Sequence, residues 1–480
     1  MATGNRLQPE TSVGVHSGYV WMIAVIAAFG GLLFGYDWVV IGGAKPFYES
    51  YFGLTSERLI GWANSCALIG CLVGSGISGS INDRLGRKKL LIVSAFLFGI
   101  SSALTGWAGS FRAFIGWRIT GGVAIGIASN VSPTYIAEIS PAAYRGRLVS
   151  LNQLTIVLGI LGAQIVNWLI AQHVPDGATA EQIRASWNGQ YGWRWMFTAV
   201  CAPSLVFFLS ALFVPESPRW LIKNRKLEQA QRTLTKIGGE RYGTESLREI
   251  QRSLLAEEQT TAHSSELLSS NVLRVLGIGI VLAVLQQWCG INVVFNYAEE
   301  IYRSAGYGVN DVLFNIVITG AVNLVFTLIA LGFVDRLGRR PLMLIGCAGI
   351  GLSHVLIGLA YRAQLRGLPL LMLTLASIGC YAMSLAPVTW VLISELFPNR
   401  IRGVAVSIAV SALWIACFLL TFTFPIFLGG LGAAGTFWLY AVICFVGFFF
   451  VLWRVPETKG RTLEQIEEQL GIVQTAQLPR

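Results

Sequence analysis

Charge is what this chain has least of. Only 12% of its 480 residues are Asp, Glu, Lys or Arg, against roughly 25% in an ordinary soluble domain. That shortage excludes a soluble protein, and the 54% hydrophobic content and mean hydropathy of +0.61 agree. Cysteine is also sparse: Cys66, Cys71, Cys201, Cys289, Cys347, Cys380, Cys417 and Cys444 all fall within apolar runs. None has the paired, loop-borne spacing of a disulfide or zinc site, so buried, inert thiols and no metal are expected. Nucleophile–base pairs and phosphate loops are missing too; Gly30-Gly31 and Gly121-Gly122 are packing glycines in apolar runs. An enzyme is therefore not expected, nor a cofactor. The first 17 residues lack the basic-then-apolar order of a cleavable signal, so Tyr19 onward is expected to be a genuine first span.

What the chain does have is long apolar runs and 53 glycines, which suit helices packing closely in lipid. A hydrocarbon core of ~30 Å needs about 20 apolar residues per helix. That length predicts twelve spans: 19–43, 59–81, 89–108, 112–137, 147–171 and 193–214, then 272–298, 311–334, 341–361, 368–394, 403–426 and 433–455. The fold expected is an all-α membrane protein. The net charge of +10 does not call for nucleic acid, because the basic residues cluster at span ends. Connections after odd-numbered spans carry few of them, among them Lys45 and Arg58. Connections after even-numbered spans carry many, including Arg84, Arg87, Lys88, Arg145, Arg336, Arg339, Arg340 and Arg402. The asymmetry places both termini in the cytoplasm.

The sequence also repeats itself. Asp83-Arg84-Leu85-Gly86-Arg87 recurs as Asp335-Arg336-Leu337-Gly338-Arg339, each copy between two apolar runs. Glu138 and Arg145 recur as Glu395 and Arg402, and Pro215-Glu216-Ser217 as Pro456-Glu457-Thr458. Every offset is near half the chain, so the spans form two pseudo-symmetric six-helix halves. The expected division is 1–214 and 272–455, with a linker at 215–271 and a tail at 456–480. In the linker, Leu227, Ala230, Leu234 and Ile237, then Leu247, Ile250 and Leu254, recur at helical spacing, predicting two or three short amphipathic helices. The tail is expected to end in a helix around Leu463–Leu470.

Ionisable residues at membrane depth are costly, and so are functional candidates. Asp37 lies in span one and Arg118 in span four. A guanidinium favours the ionised carboxylate and burial the neutral acid, so such a pair can change protonation on a modest rearrangement. A static pair fixing helix register is the alternative. Span seven carries Gln286-Gln287-Trp288-Cys289-Gly290-Ile291-Asn292, with Asn296 beyond; these amides are too many for lipid exposure. Interhelical hydrogen bonding explains any one of them, but adjacent Gln286 and Gln287 project about 100° apart. Gly290 allows local unwinding. Asn152, Gln153 and Asn323 extend the same donor–acceptor chemistry, which suits a neutral polyhydroxylated ligand. Trp390 and Trp414 offer flat apolar faces, and Pro133, Pro387 and Pro425 mark expected kinks.

These motifs resemble the sugar porters of the major facilitator superfamily, in the pattern of the bacterial D-xylose–proton symporters and glucose facilitators. The resemblance runs from about Gly18 to Glu468. It rests on both Asp-Arg-Leu-Gly-Arg loops, Pro215-Glu216-Ser217-Pro218-Arg219-Trp220-Leu221, Gln286-Gln287 with Gly290-Ile291-Asn292, and Pro456-Glu457-Thr458-Lys459-Gly460. It implies a monosaccharide site between the halves at Gln153, Gln286, Gln287, Asn292, Asn323 and Trp390, with Trp414 alongside. It also implies proton coupling through Asp37 and Arg118, since facilitators usually carry asparagine at the first position. Asp83, Arg87, Glu138, Arg145, Glu216, Asp335, Arg339, Glu395, Arg402 and Glu457 match the family's cytoplasmic charge network, which latches the halves when the site faces outward. Three positions depart from the pattern, with Asn296 for a tyrosine, Leu413 for a glutamine and Ala386 for a glycine. The implied activity is proton–monosaccharide symport by a monomer, expected in a bacterial inner membrane. Proton-independent facilitation is the alternative, and a non-transporting sensor is disfavoured by the short tail.

Overall fold

The protein is described from a computed structural model, which covers residues 16–142, 144–175, 177–259, 270–304, 306–397, 401–459 and Gln465. Among the described residues, twelve spans cross the molecule. In the first half they are α1 (Ser17–Phe52), α2 (Glu57–Leu85), α3 (Arg87–Gly106), α4 (Phe111–Ile139), α5 (Arg145–Ile170) and α6 (Asn188–Ala211). In the second half α7 (Ser270–Asn296), α8 (Val309–Leu337) and α9 (Arg339–Arg362) are followed by α10, built from Leu368–Met383 and Leu385–Leu396. The last continuous helix, Arg402–Arg454, turns back at Gly432 (φ 69°, ψ 172°), dividing into α11 (402–431) and α12 (433–454). Hydropathy alone picks out ten of these helices. It counts α11 and α12 as one, and it passes over α4, which Arg118, Asn130 and a run of small polar residues dilute.

Close helix packing rests on glycine. Gly70 and Gly74 of α2 meet the backbone of α4 around Ile119 and Val123, and Gly122 and Gly126 return the contact, leaving no room for a Cβ on either side. Gly31, Gly35 and Gly159 do the same between α1 and α5. Across the halves, α2 packs on the α11–α12 helix and α5 on α8.

The structure corrects several boundaries. The first span runs nine residues beyond its expected end at 43, because Lys45 lies inside α1, buried, and not in a connection. The helices continue through Pro133 and Pro425, and the break in α10 falls at Ser384, three residues before Pro387. Proline lacks an N–H to donate to the carbonyl four residues back, here that of Met383, so the turn there loosens.

In the linker, Pro218–Lys223 is one short helix, and Leu227–Gln259 bends at Gly238 and Gly239. Trp220, Leu221, Ile222 and Ala230 are buried there against Leu247, Ile250 and Leu254. The helix expected around Leu463–Leu470 lies outside the described residues.

Candidate functional site

Asp37 and Arg118 meet. Arg118 Nη1 of α4 donates to both carboxylate oxygens of Asp37 on α1, at 3.1 and 3.0 Å, and the residues are 3% and 2% exposed. The guanidinium also lies 5.5 Å from the centroid of the Phe197 ring. A small void of about 10 Å³, room for a single water at most, touches Trp38, Asn64, Arg118 and, on α7, Asn296.

Helix α7 is broken where the sequence suggested. Gly290 takes φ 85° and separates Ser270–Trp288 from Ile291–Asn296, with a further turn at Ala298–Ser304. A left-handed φ favours a residue without a Cβ, and a Cβ here would also press on Tyr440 at 2.9 Å. The freed carbonyl of Cys289 accepts from the imidazole of His354 at 2.8 Å.

The amides gather at this break. Asn292 Nδ2 donates to Gln287 Oε1, Gln287 Nε2 to Gln286 Oε1 at 3.4 Å, and Gln286 Nε2 to the Leu385 and Ala386 carbonyls at 3.4 and 3.3 Å. The 100° between Gln286 and Gln287 is thus bridged by the length of their side chains, and the network joins the breaks of α7 and α10.

The other candidates divide. Asn323 is buried. Trp414 is 2% exposed and lies tilted against Phe34 and Trp38 of α1, with centroids 6.0 and 6.1 Å away. Gln153 is half-buried and Trp390 exposed, and neither joins the amide network among the described residues. Gln164 on α5 was missed in the sequence. It is 2% exposed, with neither end of its carboxamide hydrogen-bonded, against Gly320 of α8, which leaves it space. A lone amide in a glycine-rich apolar run looks like helix packing, so its only signal is its depth in the span.

The repeated loops build the same staple twice. Gly86 (φ 89°, ψ 164°) starts α3, and Glu216 Oε1 accepts from the N–H groups of Arg87, Lys88 and Ser217 at 2.9, 3.1 and 2.8 Å. Gly338 (φ 95°, ψ 161°) starts α9, and Glu457 accepts from those of Arg339, Arg340 and Lys459 at 3.0, 3.1 and 2.8 Å. Each carboxylate satisfies donors that a helix N-terminus leaves open and lies at the favourable end of the helix dipole. Arg87 pairs with Glu138 at 2.8 Å and Arg339 with Glu395 at 3.2 Å; Ser217 and Thr458 donate to those same glutamates.

Burial pushes the Asp83 carboxyl up, but Lys223 at 2.6 Å and Arg87 at 3.3 Å outweigh it and hold it below the usual range. Arg145 is exposed and joins no ion pair among the described residues, while the side chains of Asp335 and Arg402 lie outside them.

The family model for sugar (and other) transporters matches residues 23–470. The chain belongs to the sugar transporter family of the major facilitator superfamily. The transporter is 38% identical to the D-xylose-proton symporter of Escherichia coli over 94% of this chain and 96% of that one. It is 39% identical to the arabinose-proton symporter of Bacillus subtilis over 97% and 98%. A solved structure of the E. coli xylose transporter, described as a partially occluded inward open conformation, superposes with a TM-score of 0.82 at 36% identity, covering 93% of this chain and 100% of that one.

In this transporter the two halves meet at the end opposite the Asp-Arg-Leu-Gly-Arg loops. Gly42 approaches the Phe295 carbonyl, Trp62 packs edge-on to Phe418, Trp168 tilts against Phe314, and Lys45 of α1 pairs with Glu299 and Glu300 beyond α7. At the loop end, the ion pairs Arg87–Glu138 and Arg339–Glu395 each stay within one half.

Proposed function

We propose that the protein carries a monosaccharide across a cell membrane together with a proton, by alternating access, as a monomer. The observation that carries this reading is the Asp37–Arg118 pair, hydrogen-bonded and buried at membrane depth. A carboxylate so placed costs too much to keep without a use, and its neutralisation releases Arg118. Relatives that are named as xylose- and arabinose-proton symporters support the assignment.

The sugar lies between the halves, where Gln286, Gln287 and Asn292 offer donors and acceptors and Asn323, Trp414 and Trp390 complete the lining. Gln164 joins them, since it is aimed at α8 with its hydrogen-bonding capacity unspent. Gln153, half-buried and outside the amide network, ranks below it. Pentoses and hexoses both fit amide chemistry. Asn296, Leu413 and Ala386 stand in or beside this lining, where one lost hydrogen bond shifts preference by about 1–3 kcal/mol.

The basic loop end faces the cytoplasm, which places both termini there and makes the conformation inward-facing. When the site turns outward, Arg145 and Arg402 close on the Glu138 and Glu395 networks, with Asp83, Arg87, Glu216, Asp335, Arg339 and Glu457 behind them. The 215–271 segment joins two six-helix halves that rock about the site. Single exposed pairs contribute about 0–1 kcal/mol each, so several together can separate two states without freezing either.

The test is Asp37→Asn in proteoliposomes. Uphill uptake of D-xylose or L-arabinose driven by a pH gradient should vanish while sugar-for-sugar exchange continues. Undiminished uphill uptake would remove the proton role. A wild-type protein that takes up sugar with no response to the gradient would be a facilitator.

A further inference from the structure

Lys45 is the most unusual charge in the protein. It is 1% exposed, though it lies two turns before the end of α1, in a stretch whose charges read as an exit from the membrane. Glu49 on the next turn lies 3.2 Å from its ammonium. The remaining partners come from the other half. Glu300 pairs with it directly, Glu299 approaches to 3.8 Å, and the Tyr297 ring lies 5.3 Å from it. Arg303 holds Glu299 from behind at 2.9 Å, and the Tyr297 hydroxyl donates to the Thr421 carbonyl of α11 at 2.7 Å. Gly42 makes the approach possible, since a Cβ there would lie 2.8 Å from the Phe295 carbonyl oxygen.

A buried ammonium is tolerated only when paired; Glu49 stays with it on α1, but the bonds to Glu299 and Glu300 exist only while α1 touches the chain beyond α7. Among the described residues, the ion pairs joining the two halves are those of Lys45. The loop-end pairs Arg87–Glu138 and Arg339–Glu395 differ, because each joins residues of a single half. We propose that Lys45 is the ionic latch of the end opposite the loops, a positioning residue whose bond to Glu299 and Glu300 sets how the transporter divides between its two orientations. This rests on the alternating-access reading, and it adds a named charge pair as the determinant of apparent affinity at the outer face. If the outward-facing form is scarce because of the latch, external sugar binds more weakly in proportion to that scarcity.

The experiment separates the latch from the transport reading by measuring the conformation without sugar. Nitroxide labels at Arg58→Cys and Gly430→Cys, exposed positions on either side of the latched end, report the opening in lipid nanodiscs by pulsed electron resonance. The intact latch should give mainly short distances. Lys45→Met and Glu300→Gln should each move most of the population to longer ones, while Lys45→Arg keeps the short distances and Lys45→Glu with Glu300→Lys restores them in part. Glu300→Gln leaves Glu49 and Glu299 around the lysine, so it serves if Lys45→Met does not fold. In D-xylose uptake the same variants should lower the external KM by about threefold or more, with a fall in maximal rate. Unchanged distances in Glu300→Gln, or a reversed pair no better than Lys45→Met alone, would overturn the latch. Failure of the intact protein to transport D-xylose would count against the sugar assignment and leave the distance measurement standing.

Discussion

A carboxamide that is buried without hydrogen bonds costs about 1–3 kcal/mol, and replacing it with an apolar group of similar size can recover that cost. Gln164 is such a residue. Gln164→Leu should therefore raise the thermal unfolding temperature of the sugar-free protein and raise the KM for sugar about tenfold or more. Gln153→Leu should do less on both counts. A Gln164→Leu protein that binds sugar normally would make the residue a packing element alone. The same scale shows what sequence can reveal. Asp37 and Arg118 stood out because charge in a span is rare, and they meet as expected. Gln164 and Lys45 did not. One looked like helix packing and the other like a membrane exit, and only the neighbouring half reveals their surroundings.

At the scale of elements, apolar run length located the spans because lipid thickness dictates it, and Gly290 announced the break in α7 because few other residues accept its φ. The kink expected at Pro387 takes the form of a break at Ser384, one turn before it, where the loosened turn gives way, and the helices run on through Pro133 and Pro425. The sharpest prediction concerns the two staples. Gly86 and Gly338 occupy a backbone region that is nearly exclusive to glycine, and a Cβ at either would meet the carboxylate that caps the next helix. Gly86→Ala or Gly338→Ala should each cost about 1–3 kcal/mol, measured as a lower unfolding temperature in detergent, while Gly403→Ala, with open space around it, should cost far less. Equal losses at all three positions would mean that the staples are not special.

At the scale of the whole molecule, the halves carry matched hardware and unmatched chemistry. The loops, their glutamates and their hydroxyl partners are duplicated, whereas the Asp37–Arg118 pair belongs to one half and the amide network to the other. Repetition was legible in the letters; which end is closed was not, because that depends on contacts between distant spans. The matched staples have a consequence for modularity. Each half fastens its own loops, and the linker leans on the first half, through Trp220 and Lys223 to Asp83 and through the Pro215 carbonyl to Tyr135. Covalent continuity between residues 259 and 270 then has little left to do except keep the two pieces at equal stoichiometry. Fragments 1–264 and 265–480, expressed together as separate chains, should copurify and restore sugar uptake that neither supports alone. The gene would in that sense encode a heterodimer that happens to be joined.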